Sequence, residues 1–214
     1  MLTLYGNLES GNVYKVRLLW GFLGLSHRRV EVNQVTGGPS TEAFRRLNPI
    51  GKVPAVRLDD GRMLSESGAI LYYFARGTGF WPGDPWLQTQ ILRWMFFEQY
   101  SHEPAIAVNR YLRRFAPEDS ANAPKLAENH AKGVHALAVM NQHLSKQDWF
   151  VEGASIADIA LYAYTHSCNE GGFDLTGLDG IRRWLSRVEG MYGYVAQHQE
   201  TSVEPVGDLS SEAL

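Results

Sequence analysis

Cysteine is nearly absent: the 214 residues include one, Cys168. A single thiol cannot close an intrachain disulfide, and it excludes a cysteine-rich zinc site. Long apolar runs are lacking too. None approaches the roughly 20 residues that a membrane-spanning helix needs, and no basic stretch followed by an apolar one reads as a secretory signal. Nor is there a surplus of one charge. Lys and Arg number 20, Asp and Glu 23, for a net charge of −3. A chain that grips phosphate backbones usually carries a basic surplus, so nucleic acid is not an expected partner. These absences point to a cytoplasmic protein with neither nucleic acid nor membrane among its partners. What is present is core material. Apolar residues make up 44% and charged residues 20%, which rules out global disorder. The length suits one large domain or two small ones.

The first 78 residues change character every ten or so. Leu2 to Tyr5 is a short apolar strand candidate. Asn12 to Leu23 places Val13, Val16, Trp20 and Leu23 at spacings of three and four, one face of a helix that Gly24 stops. Arg29 to Val32 alternates like a strand. Strand, helix and strand in such short order imply a parallel pair with a right-handed crossover. Thr41 to Leu47 is a short helix, ended before Asn48-Pro49 because a residue preceding proline resists the helical region. Pro54 to Leu58 and Arg62 to Leu64 flank Asp60-Gly61, the signature of a tight turn between antiparallel strands. Ser67 to Ala75 follows as a helix with Ile70, Tyr73 and Phe74 inward.

Residues 79–85, dense in glycine and proline, are the one good linker candidate. Beyond them strand signals vanish. Helices are expected from Trp86 to about Leu112 with a bend near Pro104, from Pro124 to Leu144, from Ser155 to Cys168 and from Leu178 to Glu189. The expected organisation is an α/β domain over 1–78, a linker over 79–85, an all-α domain over 86–200 and a loose polar tail over 201–214.

Several residues carry more than one reading. Ser155-Ile-Ala-Asp158 is a capping box, a structural device for the core helix of the second domain. Ser10-Gly-Asn12 stands where the first strand hands over to the first helix. It is either an ordinary cap or an anion site built on unsatisfied helix amides. Glu66-Ser67 has the same ambiguity at the next helix start. Two such starts at one sheet edge would form one pocket. Trp94 to Phe97 is apolar at four consecutive positions, so this helix is a central core helix or is covered on two sides. Arg110, Arg113 and Arg114 share one helical face and read as a solvated surface. No pair among His130, His135 and His143 is three or four apart, and supporting cysteines are absent, so no metal is expected.

Asn48-Pro-Ile-Gly-Lys-Val-Pro54-Ala-Val and Leu64-Ser-Glu66-Ser67-Gly-Ala-Ile-Leu, together with the Ser155-Ile-Ala-Asp158 box after Gly153, resemble the cytosolic glutathione S-transferase family. Order and spacing match from Leu2 to about Val195. The likeness is to the bacterial serine- or threonine-type members, theta- or nu-like. It implies a thioredoxin-like first domain followed by an all-helical one, with glutathione as cosubstrate held mostly by the first. By this resemblance the Val53–Pro54 bond is cis, Val53 pairs in strand fashion with the ligand's cysteinyl backbone, Glu66 and Ser67 hold its γ-glutamyl end, and Lys52 lies near its glycyl carboxylate.

Members of the family activate the thiol with Tyr, Ser or Cys. Ser10 occupies the serine place, Asn12 completes a Ser-x-Asn arrangement like that of some bacterial members, and Tyr5 is the remaining alternative. No cysteine is nearby. The implied activity is conjugation of glutathione to a small hydrophobic electrophile. The alternatives are glutathione-dependent disulfide reduction and a non-catalytic binding or scaffold module. Family members dimerise through the region of Trp94 to Phe97, which implies a homodimer, with Ser101 and His102 bordering the pocket or reaching it from the partner subunit.

Overall fold

The structure, a computed structural model, describes residues 1–116 and 120–209. The chain divides into two compact units. One holds Met1–Phe74 together with the chain from Tyr192 onward; the other holds Ala75–Met191.

The first unit is an α/β layer structure. Strand β1 (Leu2–Tyr5) leads into helix α1 (Gly11–Leu23), then β2 (His27–Glu31), α2 (Glu42–Leu47), β3 (Ala55–Arg57), β4 (Met63–Ser65) and α3 (Ser67–Ala75). The sheet order is β4-β3-β1-β2-β5, with Gly207–Asp208 as β5. β1 and β2 run parallel, as the short strand–helix–strand spacing predicts. β3 is antiparallel to both β1 and β4. Gly61, with φ of 87°, turns the chain between β3 and β4, and its amide donates to the Leu58 carbonyl at 3.0 Å. Gly24 closes α1 in the left-handed region, its amide donating to the carbonyls of Trp20 and Gly21. One core cluster fills the unit, built from Leu4, Tyr5, Val13, Trp20, Phe44, Val56 and Ile70 among others. Each such large side chain contributes about 1.5–3 kcal/mol through burial.

The second unit, from Ala75 to Met191, is built from α4 (Pro85–Phe97), α5 (Glu103–Arg114), α6 (Ala123–Leu144), α7 (Ile156–Thr165) and α8 (Asp179–Glu189). The helical stretch expected to bend near Pro104 changes helix type just before it. Residues Glu98–His102 form one turn of π-helix, and Pro104 sits in the first turn of α5, where its missing amide costs nothing. Trp94 and Met95 are buried while Phe96 is 67% exposed, so the apolar run is split between the interior and the surface. On α6 the buried face is Gly133, Ala136, Leu137, Met140 and Leu144. The arginine face expected to be solvated is so only in part: Arg113 and Arg114 are exposed. Arg110 is buried, and Glu170 accepts from Arg110 at 2.6 Å and from Arg114 at 2.8 Å. Two half-buried histidines stack on core rings, His130 on Phe173 and His143 on Phe150, while His135 is exposed.

Two boundaries differ from those expected. Residues 79–85 belong to the helical unit, and the Phe80 carbonyl accepts from the Ile156 amide at 3.2 Å. Residues 192–209, expected as the end of the helical domain and a loose tail, belong to the α/β unit. Gly207–Asp208 forms β5, parallel to β2. The segment is polar and is held by hydrogen bonds to α1 and β2, so hydropathy alone hides it. The rest of the expected tail lies outside the described residues. Among the described residues no helix is long and apolar enough to cross a membrane.

Candidate active site

The sheet register assembles the candidate residues. Tyr5 lies opposite Ala55, and Ala55 opposite Ser65. Because β3 runs antiparallel to its two neighbours, the end of β1, the start of β3 and the end of β4 share one edge. The β1–α1 loop with Ser10, the Val53–Pro54 pair and Glu66–Ser67 therefore emerge side by side.

Ser10 is the N-cap of α1 in extended conformation, with φ −76° and ψ 118°. Its hydroxyl oxygen accepts from the Val13 amide at 3.3 Å. A capping hydroxyl keeps its proton, so Ser10 can cap the helix and still donate to an anion. Its own amide donates to Asn7 Oδ1 at 2.9 Å, and Asn7 Nδ2 donates to the Val32 carbonyl at 3.2 Å. Sequence reasoning missed Asn7, whose role appears only once β2 lies beside the loop.

Asn12 sits in the first turn of α1. The Ser67 hydroxyl donates to its Oδ1 at 3.0 Å, which ties the start of α3 to the start of α1. The two helix N-termini thus meet, as the two-start reading required. Glu66, just before α3, is exposed and has φ of 65°. It is the one non-glycine residue with positive φ among those described. The left-handed region costs a residue with a Cβ about 1–2 kcal/mol. Such an outlier is a reason to suspect function.

The Val53–Pro54 peptide bond is cis. Sheet pairing begins only at Ala55, so Val53, itself buried, lies outside the ladder. Lys52 is exposed, and its carbonyl accepts from Asn48 Nδ2 at 2.8 Å.

The remaining candidates differ in burial. Tyr5 is wholly buried in the α/β core. His102 is wholly buried in the helical unit, its Nε2 2.9 Å from Thr165 Oγ1. Burial removes it from the pocket-bordering and partner-facing positions expected of it. Ser101 is half-buried and lines a cavity of about 750 Å³ within the helical unit, with Tyr100, Pro104, Asn129 and His135. Cys168 is 1% exposed, and burial pushes its thiol up to about 12, which suits an inert core residue. Among the described residues no group of three or more His, Cys, Asp or Glu side chains is placed to hold a metal ion.

Known proteins agree with this architecture. Residues 1–76 match the glutathione S-transferase N-terminal domain. A glutathione S-transferase crystal structure from Pseudomonas fluorescens is 44% identical, with a TM-score of 0.90 over 92% of this chain and 99% of that one. A Pseudomonas putida glutathione transferase with one glutathione disulfide bound per subunit is 26% identical, with a TM-score of 0.78 over 90% of this chain and 88% of that one. The Escherichia coli disulfide-bond oxidoreductase YfcG is 29% identical over 186 residues, 83% of this chain and 85% of that protein. The α/β unit is of the thioredoxin-like class and is followed in the chain by a helical region, the two parts of the glutathione S-transferase fold. The chain belongs to the cytosolic glutathione S-transferase family.

Proposed function

We propose that this protein is a glutathione transferase that ionises the glutathione thiol and directs it at a small hydrophobic electrophile. The observation that carries this reading is the Ser67–Asn12 hydrogen bond, which joins two helix starts beside Ser10 at one sheet edge. Glutathione carries two carboxylates and a thiol to be ionised, and helix starts favour anions. In this reading Glu66 and Ser67 take the γ-glutamyl end, the Val53 backbone takes the cysteinyl amide and carbonyl ahead of Pro54, and Lys52 faces the glycyl carboxylate. The left-handed backbone of Glu66 supports its assignment.

Ser10 is the proposed donor to the thiolate, with Asn12 beside it. A free thiol has a pKa near 8.5, and the thiolate is the nucleophile. Donation from Ser10 raises the thiolate fraction at neutral pH. With an aryl halide, a carbon–sulfur bond forms, the carbon–halogen bond breaks, and halide and the thiol proton leave to water. The nucleophile belongs to glutathione, so the inert Cys168 is no obstacle.

A second reading, glutathione-dependent disulfide reduction, is favoured by the Ser10-x-Asn12 pattern and by the likeness to a disulfide-bond oxidoreductase. One glutathione thiolate would attack the disulfide and release a thiol. A second glutathione would resolve the mixed disulfide, giving glutathione disulfide and the second thiol. We also propose a homodimer, in which the exposed Leu92, Phe96 and Tyr100 of α4 and the π turn are covered.

The test combines two assays with one titration. Turnover of an aromatic halide supports conjugation; turnover of a small disulfide alone selects the second reading. Binding of glutathione with neither activity leaves a scaffold module. Ultraviolet titration of the thiolate in the binary complex assigns the donor. A hydrogen bond to a charged group is worth about 1.5–3 kcal/mol, so Ser10→Ala should raise the bound thiol's pKa by about one to two units. A rise in Asn12→Ala alone moves the role to Asn12.

A further inference from the structure

The loop that carries Ser10 is held from the far end of the chain. Gln197 Nε2 donates to the carbonyls of both Leu8 and Glu9, at 3.1 Å each. These are the two residues directly before Ser10. Gln197 is 4% exposed, so its amide makes these bonds where water cannot easily replace them. At the next residue along the loop, Asn7 Oδ1 accepts from the Ser10 amide. His198 Nε2 also lies 3.3 Å from the Glu9 carboxylate.

Gln197 is itself fixed to α1. The buried guanidinium of Arg17 donates to the Gln197 carbonyl at 2.6 Å and to the Gln199 carbonyl. The Tyr14 hydroxyl donates to the Val195 carbonyl at 2.8 Å. Gly21 of α1 passes Gly193 so closely that a Cβ on Gly21 would lie 2.5 Å from the Gly193 carbonyl oxygen, and one on Gly193 would lie 2.4 Å from the Gly21 carbonyl oxygen. Further along, the Val203 amide donates to the His27 carbonyl at 2.9 Å, and Glu200 accepts from Arg29. The helix thus holds the returning segment, the segment holds the loop, and the loop caps the same helix through Ser10.

We infer that Gln197 is a positioning residue: by clamping the Leu8 and Glu9 carbonyls, it sets the orientation of Ser10 toward the glutathione sulfur. The inference rests on the assignment of Ser10 as thiolate donor. Without the clamp, Ser10 still caps α1, because that bond is local, but the Leu8–Glu9 backbone that sets where the capped serine stands against the sulfur is released. The γ-glutamyl contacts at Glu66 and Ser67 are untouched.

Gln197→Met keeps the side-chain length and removes the donors. In its complex with glutathione, ultraviolet titration should give a thiol pKa raised in the same direction as in Ser10→Ala but by less. Turnover at neutral pH should fall and recover at high pH, where the thiol ionises unaided, while the Michaelis constant for glutathione changes little. The double variant Ser10→Ala/Gln197→Met should match Ser10→Ala alone, since both changes act through one hydroxyl. Gln197→Ala, which retains the carbonyl that Arg17 holds, is the substitute if the methionine prevents folding. If Ser10→Ala raises the thiol pKa and neither Gln197 variant does, the positioning role is refuted and the donor assignment stands. Additive shifts in the double variant also refute it. If Ser10→Ala itself leaves the pKa unchanged, the donor assignment falls first and the positioning role with it.

Discussion

Asp158 offers the most direct test of how this fold balances charge burial against hydrogen bonding. Its carboxylate is buried in the helical unit and accepts four hydrogen bonds. Oδ2 takes the Ser155 amide and hydroxyl, both at 2.9 Å; Oδ1 takes the Phe150 amide at 3.2 Å and Trp184 Nε1 at 3.0 Å. One side chain thus joins the start of α7, the loop before it and α8. Burial opposes the charge and the four donors favour it. Burial prevails, raising the carboxyl from 3.8 to about 6. The sign follows from linkage. A folded-state pKa above the unfolded value gives stability that is complete below 3.8 and is lost as pH rises through about 6. Two pKa units correspond to about 3 kcal/mol, of which roughly 2 kcal/mol falls between pH 4.5 and 7.5.

Asp158→Asn removes the titration and keeps the shape. Its amide oxygen can still accept from Phe150 and Trp184, but the amide nitrogen now faces the Ser155 amide, leaving one buried donor unmatched at about 1–3 kcal/mol. That cost does not depend on pH. The wild type's advantage over Asp158→Asn should therefore shrink by roughly 2 kcal/mol from about pH 4.5 to 7.5. Urea denaturation of both proteins across that range measures it. A constant difference would mean the four donors cancel burial completely. A difference that grows with pH would mean they outweigh it, and the reasoning would be wrong in sign.

Gly133→Ala ought to gain about 1 kcal/mol of helix propensity. Its Cβ would lie 2.3 Å from the Phe173 ring, so we expect a net loss of about 1–2 kcal/mol in thermal melts, and an unchanged or raised melting temperature would show that Phe173 can move. Glu66→Gly relieves the left-handed backbone and should stabilise the fold by about 1 kcal/mol while raising the Michaelis constant for glutathione; loss of stability without a kinetic change would remove Glu66 from the site. Sedimentation should give about twice 24.0 kDa for the wild type and a monomer for Phe96→Asp, and a wild-type monomer at micromolar concentration refutes the dimer.

Much of the α/β unit was legible because its signals are local. The Asp60-Gly61 turn, the stop at Gly24 and the helix from Ser67 to Ala75 each depend on residues within a few positions, and all three appear where expected. The capping box was legible for the same reason. Its partners outside the box were not: Phe150 and Trp184 come from 8 and 26 residues away, a distance no cap pattern spans. Periodicity places Arg110 on a polar face, and only tertiary contact supplies the Glu170 that allows its burial.

The candidate site divides along the same line. Ser10, Asn12, Glu66 and Ser67 were visible as helix starts, since the chemistry that caps a helix is the chemistry that binds an anion. Capping did not exclude donation, because a hydroxyl that accepts from Val13 still has a proton to give. What local pattern could not show is how the loop between Tyr5 and Ser10 is held in place. That task falls to Asn7, Arg29 and Gln197, whose side chains bond to the backbone of Ser10, Gly6, and Leu8 and Glu9. Gln197 lies in the stretch expected as the end of the helical domain, just before the expected tail, yet its side chain is buried within the α/β unit. The same polar groups that lower the segment's hydropathy are those that fasten it. A polar segment near a chain end is therefore ambiguous until its hydrogen-bond partners are known, and here the partners stand immediately before the residue assigned to the chemistry.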